Sequence, residues 1–87
     1  MEFYNALFEE NGDFVEVSFP DFENAITFGN NYKEAFEMAI DVLAAVLSFT
    51  EIRPGKTPLD VLNYKHKCAV APVPIDEELI QTYKKGE

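Results

Sequence analysis

The stretch Asp13 to Ala39, DFVEVSFPDFENAITFGNNYKEAFEMA, decides the fold. An alternating segment ends at Phe19-Pro20-Asp21, a short second β-rich run ends at Gly29, and a period near 3.6 takes over from Asn31. Upstream, Phe3 to Glu10 alternates in the same way and is separated from Asp13–Phe19 by Asn11-Gly12, a pair whose tolerance of positive φ favours a two-residue type I′ turn. Such a hairpin sets Phe8 opposite Val15, Ala6 opposite Val17 and Tyr4 opposite Phe19, all on the core side. The other side carries Phe3, Asn5, Leu7 and Glu9 on one strand and Phe14, Glu16 and Ser18 on the next, mixing apolar and acidic groups.

Pro20 ends the second strand because it cannot donate to a ladder, and Asp21 to Glu23 lead into a third strand over about Asn24–Phe28, with Ile26 and Phe28 expected inward. Asn31 followed by Glu34 reads as a helix N-cap with its capping-box partner. Tyr32, Ala35, Phe36, Ala39, Val42, Leu43, Val46 and Leu47 then recur on one face, with Lys33, Glu34, Glu37 and Asp41 on the other. Pro54-Gly55 and Thr57-Pro58 mark an irregular connection, with Thr57 placed to cap a short helical turn. Lys67 to Ile75 is β-rich but punctuated by Pro72 and Pro74, which predicts a last strand free of pairing on one side near its end. Asp76 can cap a final helix from Glu77 to about Lys85, acids first and lysines last as the macrodipole favours. The predicted order is β-β-β-α-β-α: an α+β, two-layer fold with a small antiparallel sheet packed on one main helix.

Eighty-seven residues suffice for a single domain, 1–87, and an apolar fraction of 47% predicts a packed core. The net charge of −9 is one-sided: residues 1–50 hold ten acids and only Lys33 as a base, whereas 51–87 hold six of each sign. That half repels phosphate backbones, and its acids either offer a docking surface to a basic partner or simply keep a small protein soluble. A single cysteine, Cys68, excludes an internal disulfide and a cysteine-built zinc site. No basic leader, apolar leader segment or membrane-length apolar run is present, which fits a cytoplasmic chain.

Catalytic chemistry is hard to assemble. His66, the sole histidine, lies between Lys65 and Lys67 with no triad partner at a useful spacing, and reads as an exposed linker residue. Cys68 reads as a small, buried apolar residue of the last strand. Glu9, Glu10, Asp13, Glu16, Asp21 and Glu23 lack the register of a calcium loop, and neither Gly12 nor Gly29 belongs to a phosphate-binding loop. The expectation is a non-enzyme without metal or cofactor. The cluster of Phe3, Leu7 and Phe14 beside Glu9 and Glu16 is either covered by a third layer, such as the final helix, or is an interface of aromatics ringed by acids.

The hairpin ending Val15-Glu16-Val17-Ser18-Phe19-Pro20-Asp21, the step Ile26-Thr27-Phe28-Gly29, and Asn31 to Ala39 opening a helix with Glu34-Ala35 together resemble the HicB antitoxins over about residues 3–50. The segment from Cys68 to Tyr83 resembles them more weakly. Two departures stand out. Many members follow Pro-Asp with a Pro-Gly-Cys turn, where this chain has Phe22-Glu23-Asn24, and many carry a ribbon-helix-helix or helix-turn-helix segment after the last strand, where this chain ends at Glu87. The end admits two readings, a single-domain protein or the amino-terminal part of a longer repressor.

The resemblance implies a partly ribonuclease H-like fold with no nuclease activity of its own. It implies an antitoxin that neutralises a small basic HicA-type ribonuclease by covering its catalytic histidine, often as a homo-oligomer, with DNA contacted only through a C-terminal segment not present here. On that reading the toxin-binding residues are Leu7, Glu9, Phe14, Glu16, Asp21, Phe22 and Glu23. The alternative is a stand-alone acidic ligand-sensing or oligomerisation domain without a toxin.

Overall fold

Four antiparallel strands and two helices form a computed structural model that describes residues 2–23, 25–50, 53–58 and 68–85. The elements are β1 (Phe3–Asn11), β2 (Phe14–Ser18), β3 (Ile26–Gly29), α1 (Tyr32–Ser48), β4 (Ala69–Pro74) and α2 (Glu77–Lys85). The strand order is β3-β2-β1-β4, so the hairpin is central and β3 and β4 are the two edges. This is the expected α+β arrangement. Among the described residues no helix is long and apolar enough to cross a membrane.

The hairpin turns at Gly12-Asp13, one residue later than expected, because Asn11 pairs with Phe14 and Gly12 takes φ +72°. Phe8 therefore faces Val17 instead of Val15. A slip of two positions leaves every side chain on its original face. Tyr4, Ala6, Phe8, Val15, Val17 and Phe19 are all buried, as the alternation predicts.

The third strand corrects the sequence reading. Val15 pairs with Gly29, Val17 with Thr27 and Ser18 with Ile26, which puts Ala25, Thr27 and Gly29 on the core side. Ile26 and Phe28 point outward and are 57% and 60% exposed. The cause is the close approach of α1: a Cβ built on Gly29 would lie 2.3 Å from the backbone nitrogen of Ala35. Large side chains cannot occupy that layer.

Helix α1 begins at the expected N-cap, with the Glu34 N–H donating to Asn31 Oδ1 at 2.8 Å, while the returning Glu34 Oε1 accepts at 2.6 Å from the Asn30 N–H, one residue before the cap position of a standard capping box. Ala35, Ala39, Leu43, Ala44 and Leu47 are buried in the core, while Phe36 is half-buried with its ring stacked on Phe8 at 6.3 Å. Tyr32, expected on the apolar face, is exposed. Each fully buried Leu, Ile or Val side chain contributes about 1.5–3 kcal/mol relative to exposure. Helix α2 opens on Asp76, whose Oδ1 accepts from the Leu79 N–H at 3.0 Å, and packs Ile80 into the same core. Tyr83 Oη donates to Asp41 Oδ1 and fastens α2 to α1. The final helix thus lies beside the first and does not cover the opposite sheet face.

Candidate binding surface

Backbone hydrogen bonds fix which residues share that opposite face. The Phe19 N–H donates to the Ala25 carbonyl at 3.1 Å, and by the two-residue alternation of an antiparallel ladder Val17–Thr27 and Val15–Gly29 are bonded pairs as well. Phe14, Glu16 and Ser18 therefore direct their backbone groups at β1. Glu9 and Glu16 are such a pair, with α-carbons about 5.5 Å apart in ladders of this kind.

Around this acidic pair the face is apolar. One row runs Val70, Leu7, Ser18 and Ile26 across the four strands, and Phe28 lies beside Glu16 in the next. Phe14 meets Phe28 edge to face with centroids 5.6 Å apart, a geometry in which a ring hydrogen points into the partner's π-cloud. Leu7, Phe14 and Glu16 are half-buried and Glu9 is exposed. Like charges directly opposed in a sheet lower its stability, so Glu9 and Glu16 oppose the fold that carries them. Cys68, expected to be buried in the last strand, instead lies just before β4 and is half-buried; burial followed by the Glu9 carboxylate pushes its thiol up, away from a reactive thiolate.

The loop after β2 is placed differently. Asp21 uses both carboxylate oxygens on Thr57, and the Phe22 ring packs edge-on against Tyr4 at 4.7 Å, so both hold the chain together internally. Glu23 is exposed. Of the seven candidate residues, the fold brings Leu7, Glu9, Phe14 and Glu16 onto one face. Asp21 and Phe22 serve a separate contact.

At one end the face is bounded by residues 53–58. Asn5, 5% exposed, donates through its side-chain amide to the Thr57 carbonyl at 3.1 Å, and Tyr4 Oη donates to the Pro54 carbonyl at 2.6 Å. Phe3, Asn5, Lys56, Thr57, Pro58 and Pro72 line a cleft of about 250 Å³ there. Burial raises the Tyr4 phenol above its ordinary value, against the lowering influence of Arg53. Arg53 itself joins Glu77 at 3.3 Å and Glu2 at 3.6 Å. Among the described residues no three His, Cys, Asp or Glu side chains converge as metal ligands. His66 and the turn expected after Pro58 lie outside the described residues.

Sequence reasoning missed Ile26 and Phe28 as members of this face. The signal was present in the small residues Ala25, Thr27 and Gly29 alternating with them, matched by Ala35 and Ala39 on the helix. Compared with models of known protein families the chain matches none, and no curated protein matches it.

Proposed function

We propose that this chain is a cytoplasmic antitoxin of the HicB kind, which binds a small basic ribonuclease and masks its active site through the outer face of the sheet. The observation that carries the reading is the pairing of Glu9 with Glu16 beside the Phe14–Phe28 contact, on a face that neither helix covers among the described residues. Aromatic side chains in such a patch supply affinity, and the acids around them steer a cationic partner and set its register. The ten acids against one base in residues 1–50 support the same polarity. On this reading Leu7 and Phe14 are apolar contacts and Glu9 and Glu16 charge partners, with Glu23 on the rim and Asp21 and Phe22 shaping the loop between. The protein performs no chemistry on RNA; it excludes RNA from the partner's catalytic groups.

Co-expression with the product of an adjacent gene encoding a basic protein of under about 100 residues, the size of a single small domain, followed by size-exclusion chromatography, tests the proposal. A stable complex with suppressed ribonuclease activity supports it. Separate elution together with undiminished ribonuclease activity removes it.

A further inference from the structure

The two edges of the sheet are chemically unlike. On β4 the Ile75 N–H donates to the Glu2 carbonyl at 3.0 Å, so the bonded pairs with β1 continue through Val73–Tyr4, Ala71–Ala6 and Ala69–Phe8. The backbone positions facing away from the sheet are then Val70, Pro72 and Pro74. Two of these three lack an N–H, which blunts that edge against further strands.

On β3 the same alternation commits Ala25, Thr27 and Gly29 to β2 and turns the N–H and C=O groups of Ile26 and Phe28 outward. Among the described residues none of these four groups has a hydrogen-bonding partner. The strand Ile26–Gly29 contains no proline, no charge and no bulge, the usual devices that protect an edge. Their absence on one edge contrasts with two prolines on the other.

We infer that the free edge of β3 pairs antiparallel with β3 of a second copy of this chain, with Thr27 on the twofold axis. In that register Ile26 exchanges both backbone hydrogen bonds with Phe28 of the partner, and the reciprocal pair makes four in all. Each isoleucine side chain then faces a phenylalanine on the outer side, a favourable aliphatic–aromatic cross-strand pair. No charged residue of the strand meets another. A twofold interface is self-complementary by construction, and this short uncharged strand satisfies that condition where the flanking acidic segments do not. Joining the edges makes one eight-stranded sheet whose two Phe14–Phe28 patches run together across the dyad.

The inference deepens the homo-oligomer element of the antitoxin reading, and its test uses no toxin. Sedimentation of the chain alone, over a concentration series at two salt concentrations, is combined with hydrogen exchange of the Ile26 and Phe28 amides. Expected is a monomer–dimer equilibrium that strengthens with salt, because screening relieves repulsion between two chains of charge −9. A complex with a basic partner has the opposite salt dependence, so the two associations are told apart. The Ile26 and Phe28 amides should gain protection as the dimer forms. Phe28→Pro, which removes an outward N–H without touching the ladder to β2, and Ile26→Lys should each weaken the dimer at least tenfold. A chain that stays monomeric throughout, or a dimer in which those two amides remain unprotected, overturns the inference; the exchange result on the unmodified chain decides it even if a variant fails to fold.

Discussion

The Asp21 carboxylate accepts both polar hydrogens of Thr57, from Oγ1 at 2.5 Å and from the backbone N–H at 3.1 Å. This bidentate contact ties the loop behind Pro20 to a segment 36 residues further along the chain. Hydrogen bonds to an ionised group are worth about 1.5–3 kcal/mol each when partly buried. Asp21→Ala should therefore lower stability by about 2 kcal/mol in urea unfolding, and the double variant with Thr57→Ala should cost less than the sum of the singles. Because Asp21 faces Thr57 and lies off the outer sheet face, Asp21→Asn should lower the association rate of a basic partner less than Glu16→Gln does. A large fall in that rate with the fold intact would return Asp21 to the binding face.

Gly29 sits where the backbone of α1 comes close to the sheet, and the three atoms nearest to a Cβ there are main-chain atoms of Glu34 and Ala35. Backbone cannot yield as a side-chain tip does. Gly29→Ala should destabilise by about 3 kcal/mol, the upper range for overpacking. Gly12→Ala meets no atom within 4 Å and suffers only from φ +72°, a cost of about 1–2 kcal/mol. Thermal unfolding of the two variants should rank them in that order, and equal losses would contradict the close approach.

Glu16→Lys should stabilise the isolated chain while weakening its partner complex. Replacing one member of an opposed like-charged pair with the opposite sign gains a few tenths to about 1 kcal/mol in a sheet. The same change removes attraction for a cationic partner, so association slows and its salt dependence becomes shallower. Phe14→Ala acts on the other half of the process and should speed dissociation, with a loss of about 2 kcal/mol if that ring is a central anchor. Unfolding curves and binding kinetics at two salt concentrations check both halves. A Glu16→Lys chain that is less stable and binds equally fast would dissociate this face from function.

The phenol of Tyr83 is raised above its ordinary value of 10.0, first by the hydrogen bond to Asp41 and then by burial. A raised pKa means that the folded state holds the proton more tightly than the unfolded one. The resulting stabilisation is complete below pH about 10 and is lost as pH climbs through the folded-state value. Tyr83→Phe should reduce stability at neutral pH and flatten part of its alkaline decline. Denaturant midpoints measured on either side of pH 10 give the comparison; identical alkaline slopes in the two proteins would mean that Tyr83 does not anchor α2.

Much of this architecture was legible in the residues. The alternation of Tyr4, Ala6 and Phe8 with Val15, Val17 and Phe19 assigns the core face even though the turn falls at Gly12-Asp13, since a two-residue slip conserves sidedness. Both helix starts follow from Asn31 with Glu34 and from Asp76, whose side chains supply local backbone acceptors. What failed was β3. Hydrophobicity argued for Ile26 and Phe28 inside, but the spacing between strand and helix is a tertiary quantity set by Gly29 against Ala35, and it admits only small residues. The same error hid two members of the candidate surface. The Asp21–Thr57 contact was equally out of reach, because no local pattern links positions so far apart in sequence.

Pro72 and Pro74 have a consequence for what the molecule cannot become. A bare, uncharged strand carrying Ile26 and Phe28 meets one requirement for cross-β polymerisation, but a filament grows only if each added unit offers a fresh template at its far side. Here the far side ends in two pyrrolidine nitrogens at alternate outward positions. A strand arriving at β4 therefore meets two positions with no N–H to offer, which disfavours head-to-tail stacking of sheets and leaves the β3 edge as the one better suited to pairing.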